Sequence, residues 1–65
     1  MKISVNGVLQ STNAKNLEEL LLEIDLEEAV VATAVNGEFV AQSKRCSTIL
    51  EAGDQIEVVA PMQGG

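Results

Sequence analysis

The chain contains no histidine, tyrosine or tryptophan, and only one cysteine, one proline and one phenylalanine. Each scarcity excludes something. Without histidine the commonest general acid–base group is missing. A lone cysteine with no histidine cannot form the Cys/His sets that hold zinc. Nor can it close an intramolecular disulfide, which fits a reducing compartment. Basic residues are few, four against ten acidic, for a net charge of −6, so a nucleic-acid backbone would be repelled rather than neutralised. No glycine-rich loop precedes a helix to cradle a phosphate. No apolar run approaches the roughly 20 residues that span a bilayer, and Met1–Val5 lacks the apolar stretch of a signal peptide. These absences lead to an expectation of a cytoplasmic chain, monomeric when free, with no nucleic-acid or membrane partner. No bound metal or cofactor and no catalytic residue of its own are expected.

What is present is a small core. Sixty-five residues, 46% of them hydrophobic, suit one globular domain. A chain this short buries only about 60% of its unfolded surface and has no room for a deep enclosed site. The acidic surplus keeps the chain soluble and suits a partner with a basic face.

The order of elements reads ββαβββ. Met1–Val5 alternates, Asn6-Gly7 is a type I′ hairpin signal, and Val8–Thr12 returns. A two-residue loop pairs Val5 with Val8 and Ile3 with Gln10 but leaves Leu9 on the other face, so this register stays open. Asn16–Asp25 is a helix, with Leu17, Leu20, Leu21 and Ile24 on one stripe and Leu22 off it. Asn16 and Glu19 have capping-box spacing, and Leu26 is expected to fold back onto the core. Val30–Val35, Asn36-Gly37 and Glu38–Ala41 form a second hairpin with Ala34 opposite Phe39. Gln42–Leu50 reads as irregular, anchored by Ile49 and Leu50. Gln55–Ala60 is a last strand in which Ile56 and Val58 alternate with Glu57 and Val59. One helix crossing between hairpins on one side of a mixed sheet of four to five strands is the α+β arrangement called β-grasp, or ubiquitin-like. It occupies residues 1–60, with the first and last strands as parallel central neighbours.

Residues 61–65 then form a tail. Pro61 cannot donate to a ladder and ends the strand. The five residues Pro61, Met62, Gln63, Gly64 and Gly65 reach at most roughly 17 Å when extended, enough to enter a partner's active site while the body docks outside. The glycines would pass a narrow channel and leave the Gly65 carboxylate unshielded. A carboxylate is a poor electrophile until an enzyme adenylates it with ATP, after which sulfur can displace AMP and leave a thiocarboxylate. The plainer account of Gly64-Gly65 is a frayed terminus.

Met1-Lys2-Ile3-Ser4-Val5-Asn6-Gly7, Val35-Asn36-Gly37-Glu38-Phe39-Val40, Gly53-Asp54-Gln55-Ile56-Glu57-Val58-Val59 and Met62-Gln63-Gly64-Gly65 resemble the ThiS family of thiamine-biosynthesis sulfur carriers. The resemblance runs the whole chain and is most specific in the segment from Gly53 to Val59 with the Gly-Gly that follows. It implies a β-grasp fold, adenylation of Gly65 by a ThiF-type adenylyltransferase using ATP and a sulfur donor, and a thiocarboxylate delivered to thiazole synthase. Ala41-Gln42 departs from the Pro-Arg that many members carry there. The rivals are a molybdopterin synthase small subunit, or another sulfur-pathway carrier, and a β-grasp module that binds partners without covalent chemistry.

Other residues carry two readings each. Cys46, beside Lys44 and Arg45, is a reactive thiol or a small half-buried apolar residue, and the second is the expectation. Met62 anchors the tail in a partner groove or is plain tail. Glu23, Asp25, Glu27 and Glu28 form a cation cluster or a solvated helix end, again the second. Phe39, Val40 and Val59 are candidates for an exposed docking patch, Val59 with either Phe39 or Val40. The plainer account, slightly preferred, puts all of them and Val58 in the core.

Overall fold

A computed structural model of the chain describes residues 1–26 and 29–60. Strands β1 (Lys2–Val5) and β2 (Val8–Ser11) form a hairpin, followed by helix α1 (Leu17–Glu23). A second hairpin, β3 (Ala32–Val35) and β4 (Glu38–Val40), leads through a 3-10 helix (Gln42–Ser47) to β5 (Gln55–Val59). The five strands lie in the order β2-β1-β5-β3-β4, with β1 and β5 parallel and the remaining pairs antiparallel. This is the β-grasp arrangement.

The open register of the first hairpin is settled: Val5 faces Val8 and Ile3 faces Gln10. The second hairpin pairs Ala34 with Phe39. Both turns place Asn-Gly at positive φ, 51° and 83° for Asn6-Gly7 and 52° and 85° for Asn36-Gly37. That is the I′ geometry that matches strand twist.

The helix forms where the stripe predicts. Leu17, Leu20 and Leu21 are buried against Ile3, Val5, Leu50, Ile56 and Val58, while Ile24 and Leu26 pack on the edge of this core. Leu22, off the stripe, is exposed. Asn16 Oδ1 accepts from the Glu19 amide at 2.8 Å, but Glu19 Oε1 accepts from the Lys15 amide at 2.9 Å rather than from Asn16 itself. The C-terminus closes as a Schellman motif: the Leu26 amide donates to the Leu21 carbonyl at 2.7 Å and the Asp25 amide to Leu22 at 3.2 Å. Asp25 takes the left-handed position at φ 63°, where glycine is usual.

Two expectations are corrected between β4 and β5. Leu50 is buried but Ile49 is 65% exposed, because neighbours in extended chain point to opposite sides and only one meets the core. The segment Gln42–Ser47 is not irregular but a 3-10 helix, and it buries Arg45. Arg45 Nε donates to Thr33 Oγ1 at 3.1 Å and its Nη2 to the Val31 carbonyl at 2.7 Å. Cys46, expected to be half-buried, is exposed instead; the arginine takes the inward position because two acceptors wait there.

Glu23 lies at the end of α1 and reaches back to the loop after β2. Its Oε1 accepts from Thr12 Oγ1 at 2.6 Å and its Oε2 from the Asn13 amide at 3.3 Å. Among the described residues no buried side-chain polar atom lacks a partner, no group of acidic or cysteine side chains could hold a metal, and no helix is long and apolar enough to cross a membrane. Glu27 and Glu28, two members of the acidic cluster, lie outside the described residues.

Candidate functional site

The exit of β5 is set by the topology. β5 is the middle strand, held by β1 on one side and β3 on the other. It runs parallel to β1 and ends beside the Asn6-Gly7 turn and the start of β3. The Asn6 amide donates to the Ile56 carbonyl at 2.9 Å. In an unbroken parallel ladder the Asn6 carbonyl would next accept from Val58. The left-handed turn rotates that carbonyl away, and the side chain replaces it: the Val58 amide donates to Asn6 Oδ1 at 2.9 Å, and Asn6 Nδ2 donates to the Val58 carbonyl at 3.0 Å. β5 is thus held up to its last residues, with Val59 still opposite Ala32 of β3.

Asn36 does the same at the other end of β5. Its amide donates to the Gln55 carbonyl at 2.7 Å, and its Oδ1 accepts from the Gln55 amide at 2.9 Å. Its Nδ2 also reaches Asp54 Oδ1 at 3.0 Å. The sequence announced both asparagines as turn formers. Their side-chain bonds to β5 were not foreseen, since nothing local says which strand lies alongside the turn.

The sheet face opposite the helix carries the second part of the site. α1 covers one face only, so residues alternating outward on β3, β4 and β5 stay in solvent. Phe39 is 73% exposed and Val59 61% exposed. Between them β3 presents Ala32 and Ala34, which face Val59 and Phe39 respectively. Two strand spacings separate β4 from β5, about 10 Å; directly across Ala34 from Phe39 stands Glu57, and Val59 lies two residues further along β5, beside Ala32. Val59 and Ala32 also line an apolar depression with Val30 and Val31 at the β5 exit. The account that put all four residues in the core is therefore overturned for Phe39 and Val59. Val58 is buried as that account had it, and Val40 is half-buried and packs on the core. Val40 is accordingly not part of the exposed patch. Glu57 is exposed on this same face, which sets one acidic group between Phe39 and Val59.

Met62, Gln63, Gly64 and Gly65, with Pro61, lie outside the described residues. Ala41-Gln42 sits at the entry to the 3-10 helix, Ala41 half-buried and Gln42 exposed. Among the described residues the candidate site is the exit of β5 and the exposed face beside it.

The chain has full-length likeness to solved structures. It is 30% identical to a thiamine biosynthesis protein (ThiS) from Geobacter metallireducens in a crystal structure, with a TM-score of 0.84 and complete coverage of both chains. It is 28% identical to a thiamine biosynthesis protein from Geobacter metallireducens solved by NMR, with a TM-score of 0.79, covering 100% of this chain and 88% of that one. Among curated proteins no match is found. The ThiS family matches residues 3–65, from the first buried strand residue through the Gly-Gly tail. With fold, sequence and length agreeing over that span, the chain belongs to the ThiS family.

Proposed function

We propose that this chain is a sulfur carrier of thiamine biosynthesis: its Gly65 carboxylate is activated and loaded with sulfur by partner enzymes. The observation that carries the reading is the family match continuing past the β5 exit to Gly65. A ThiF-type adenylyltransferase is the activating partner. The Gly65 carboxylate oxygen attacks the α-phosphorus of ATP, the acyl–AMP bond forms and pyrophosphate leaves. A sulfide-level donor then attacks the acyl carbon and AMP departs with the C–O bond electrons, leaving the thiocarboxylate. Thiazole synthase receives that sulfur.

The body serves as the handle. Val59 and Ala32 lie at the β5 exit and Phe39 is exposed further along the same face, so a partner seated on this face would stand next to the emerging chain. Apolar contact supplies the affinity, and the net charge of −6 draws in a basic partner rim. The chain itself performs no catalysis.

The test is incubation with ATP, a ThiF-type enzyme and a sulfur donor, followed by mass spectrometry. A gain equal to exchange of one oxygen for one sulfur, lost when Gly65 is deleted, is the expected result. No gain with any adenylyltransferase would favour the non-covalent interaction module. Loading without sulfur transfer to thiazole synthase, but with transfer to a molybdopterin synthase, would move the chain to the other sulfur pathway.

A further inference from the structure

The two asparagine clamps hold opposite ends of one strand, yet only one of them holds its C-terminal end. Asn36 binds the start of β5 through the Gln55 amide. Asn6 binds the end through both main-chain groups of Val58. The β1–β5 ladder would otherwise stop at Asn6 N–H to Ile56 carbonyl, leaving the β1 side of Val58 unpaired just before the chain leaves the sheet.

We propose that Asn6 is a positioning residue for the tail: its side-chain amide, bonded to the Val58 backbone, sets the direction in which the chain leaves β5. The inference rests on the carrier reading above. A body docked on a partner holds the β5 exit at a fixed place, and loosening Val58 shifts the point from which the carboxylate must be delivered. Adenylation requires the Gly65 oxygen in line with the α-phosphorus, and a misplacement of about 1 Å can cost up to about 100-fold in rate. Losing the clamp frees Val58 on one side while β3 still holds Val59. The effect should therefore be partial and should fall on the chemical step rather than on docking.

The internal control is Asn36. Asn6→Gly and Asn36→Gly both keep a residue at ease with positive φ, and each deletes a side-chain clamp on β5. Similar losses of Tm are expected. Pyrophosphate release by the adenylating enzyme is measured with each protein varied through saturation. Asn6→Gly is expected to lower kcat about tenfold with KM within about twofold, while Asn36→Gly leaves both near wild type. Asn6→Asp retains the acceptor for the Val58 amide but has no N–H for its carbonyl; it is expected to lose about threefold and serves if Asn6→Gly does not fold. Equal kcat losses in the Asn6 and Asn36 variants, no loss in either, or a change in KM alone overturns the proposal. If wild type itself releases no pyrophosphate while its Tm is normal, the carrier reading fails and the tail role falls with it.

Discussion

Arg45 Nε donates to Thr33 Oγ1 at 3.1 Å, and that hydroxyl in turn donates to the Val40 carbonyl at 2.8 Å. The arginine is 6% exposed and the threonine 2%. This chain of bonds ties the 3-10 helix to the outer hairpin and fixes β3 against β4, the two strands that carry Ala32, Ala34 and Phe39.

Arg45→Ala is expected to cost about 2–3 kcal/mol, because it removes packing and orphans buried acceptors. In a domain of this size that lowers Tm by about 10 °C or more. Lys44→Ala, one residue away and exposed, should stay within about 0.5 kcal/mol. Thermal denaturation followed by circular dichroism compares the two, and equal effects would refute a structural role for the buried guanidinium.

Asp25 closes the helix at φ 63° with a carboxylate at the negative end of the helix dipole. Left-handed backbone costs a non-glycine residue about 1 kcal/mol or more, and the charge adds a few tenths. Asp25→Gly relieves both against the extra entropy of a free glycine. The expected gain is about 0.5–1 kcal/mol, or a Tm increase of about 3–6 °C. A lower Tm would show that the aspartate does something more in the cap.

Phe39 and Val40 are sequence neighbours on opposite faces of the sheet, one exposed and one packed on the core. Phe39→Ala should leave stability within about 0.5 kcal/mol but weaken binding to the adenylating enzyme about 30-fold, as loss of a central aromatic contact does. Val40→Ala should do the reverse, costing about 1 kcal/mol in urea unfolding with binding near wild type. Calorimetric titration of each variant decides, and unchanged affinity for Phe39→Ala would remove Phe39 from the docking face.

Association with that enzyme is expected to slow as salt is added, since the proposed basic rim would attract a chain of charge −6. Between about 0.05 and about 0.5 M salt the on-rate is expected to fall about tenfold or more, with a smaller change in off-rate. Stopped-flow fluorescence measures both, and a flat on-rate would leave the acidic surface with solubility alone.

The sequence by itself determined the five strands and α1, though not the 3-10 helix at Gln42–Ser47. Leucines at helical spacing between Leu17 and Leu21, alternation around Ile3, Ile56 and Val58, and two Asn-Gly pairs are local patterns with local causes, so element order and hairpin pairing follow from them. Family membership was also legible, in the stretch from Gly53 to Val59 and the residues after it. Periodicity states which residues share a face, but not which face is covered. Only the tertiary structure decided that Phe39 and Val59 are bare, because a single helix of seven residues shields just one side of a five-stranded sheet. It likewise decided that Arg45 turns inward while Cys46 does not, since the acceptors on Thr33 and Val31 come from another element. And it put the Asn6 side chain on the backbone of Val58, 52 residues further along, a contact no local pattern encodes because it exists only once β1 and β5 lie side by side.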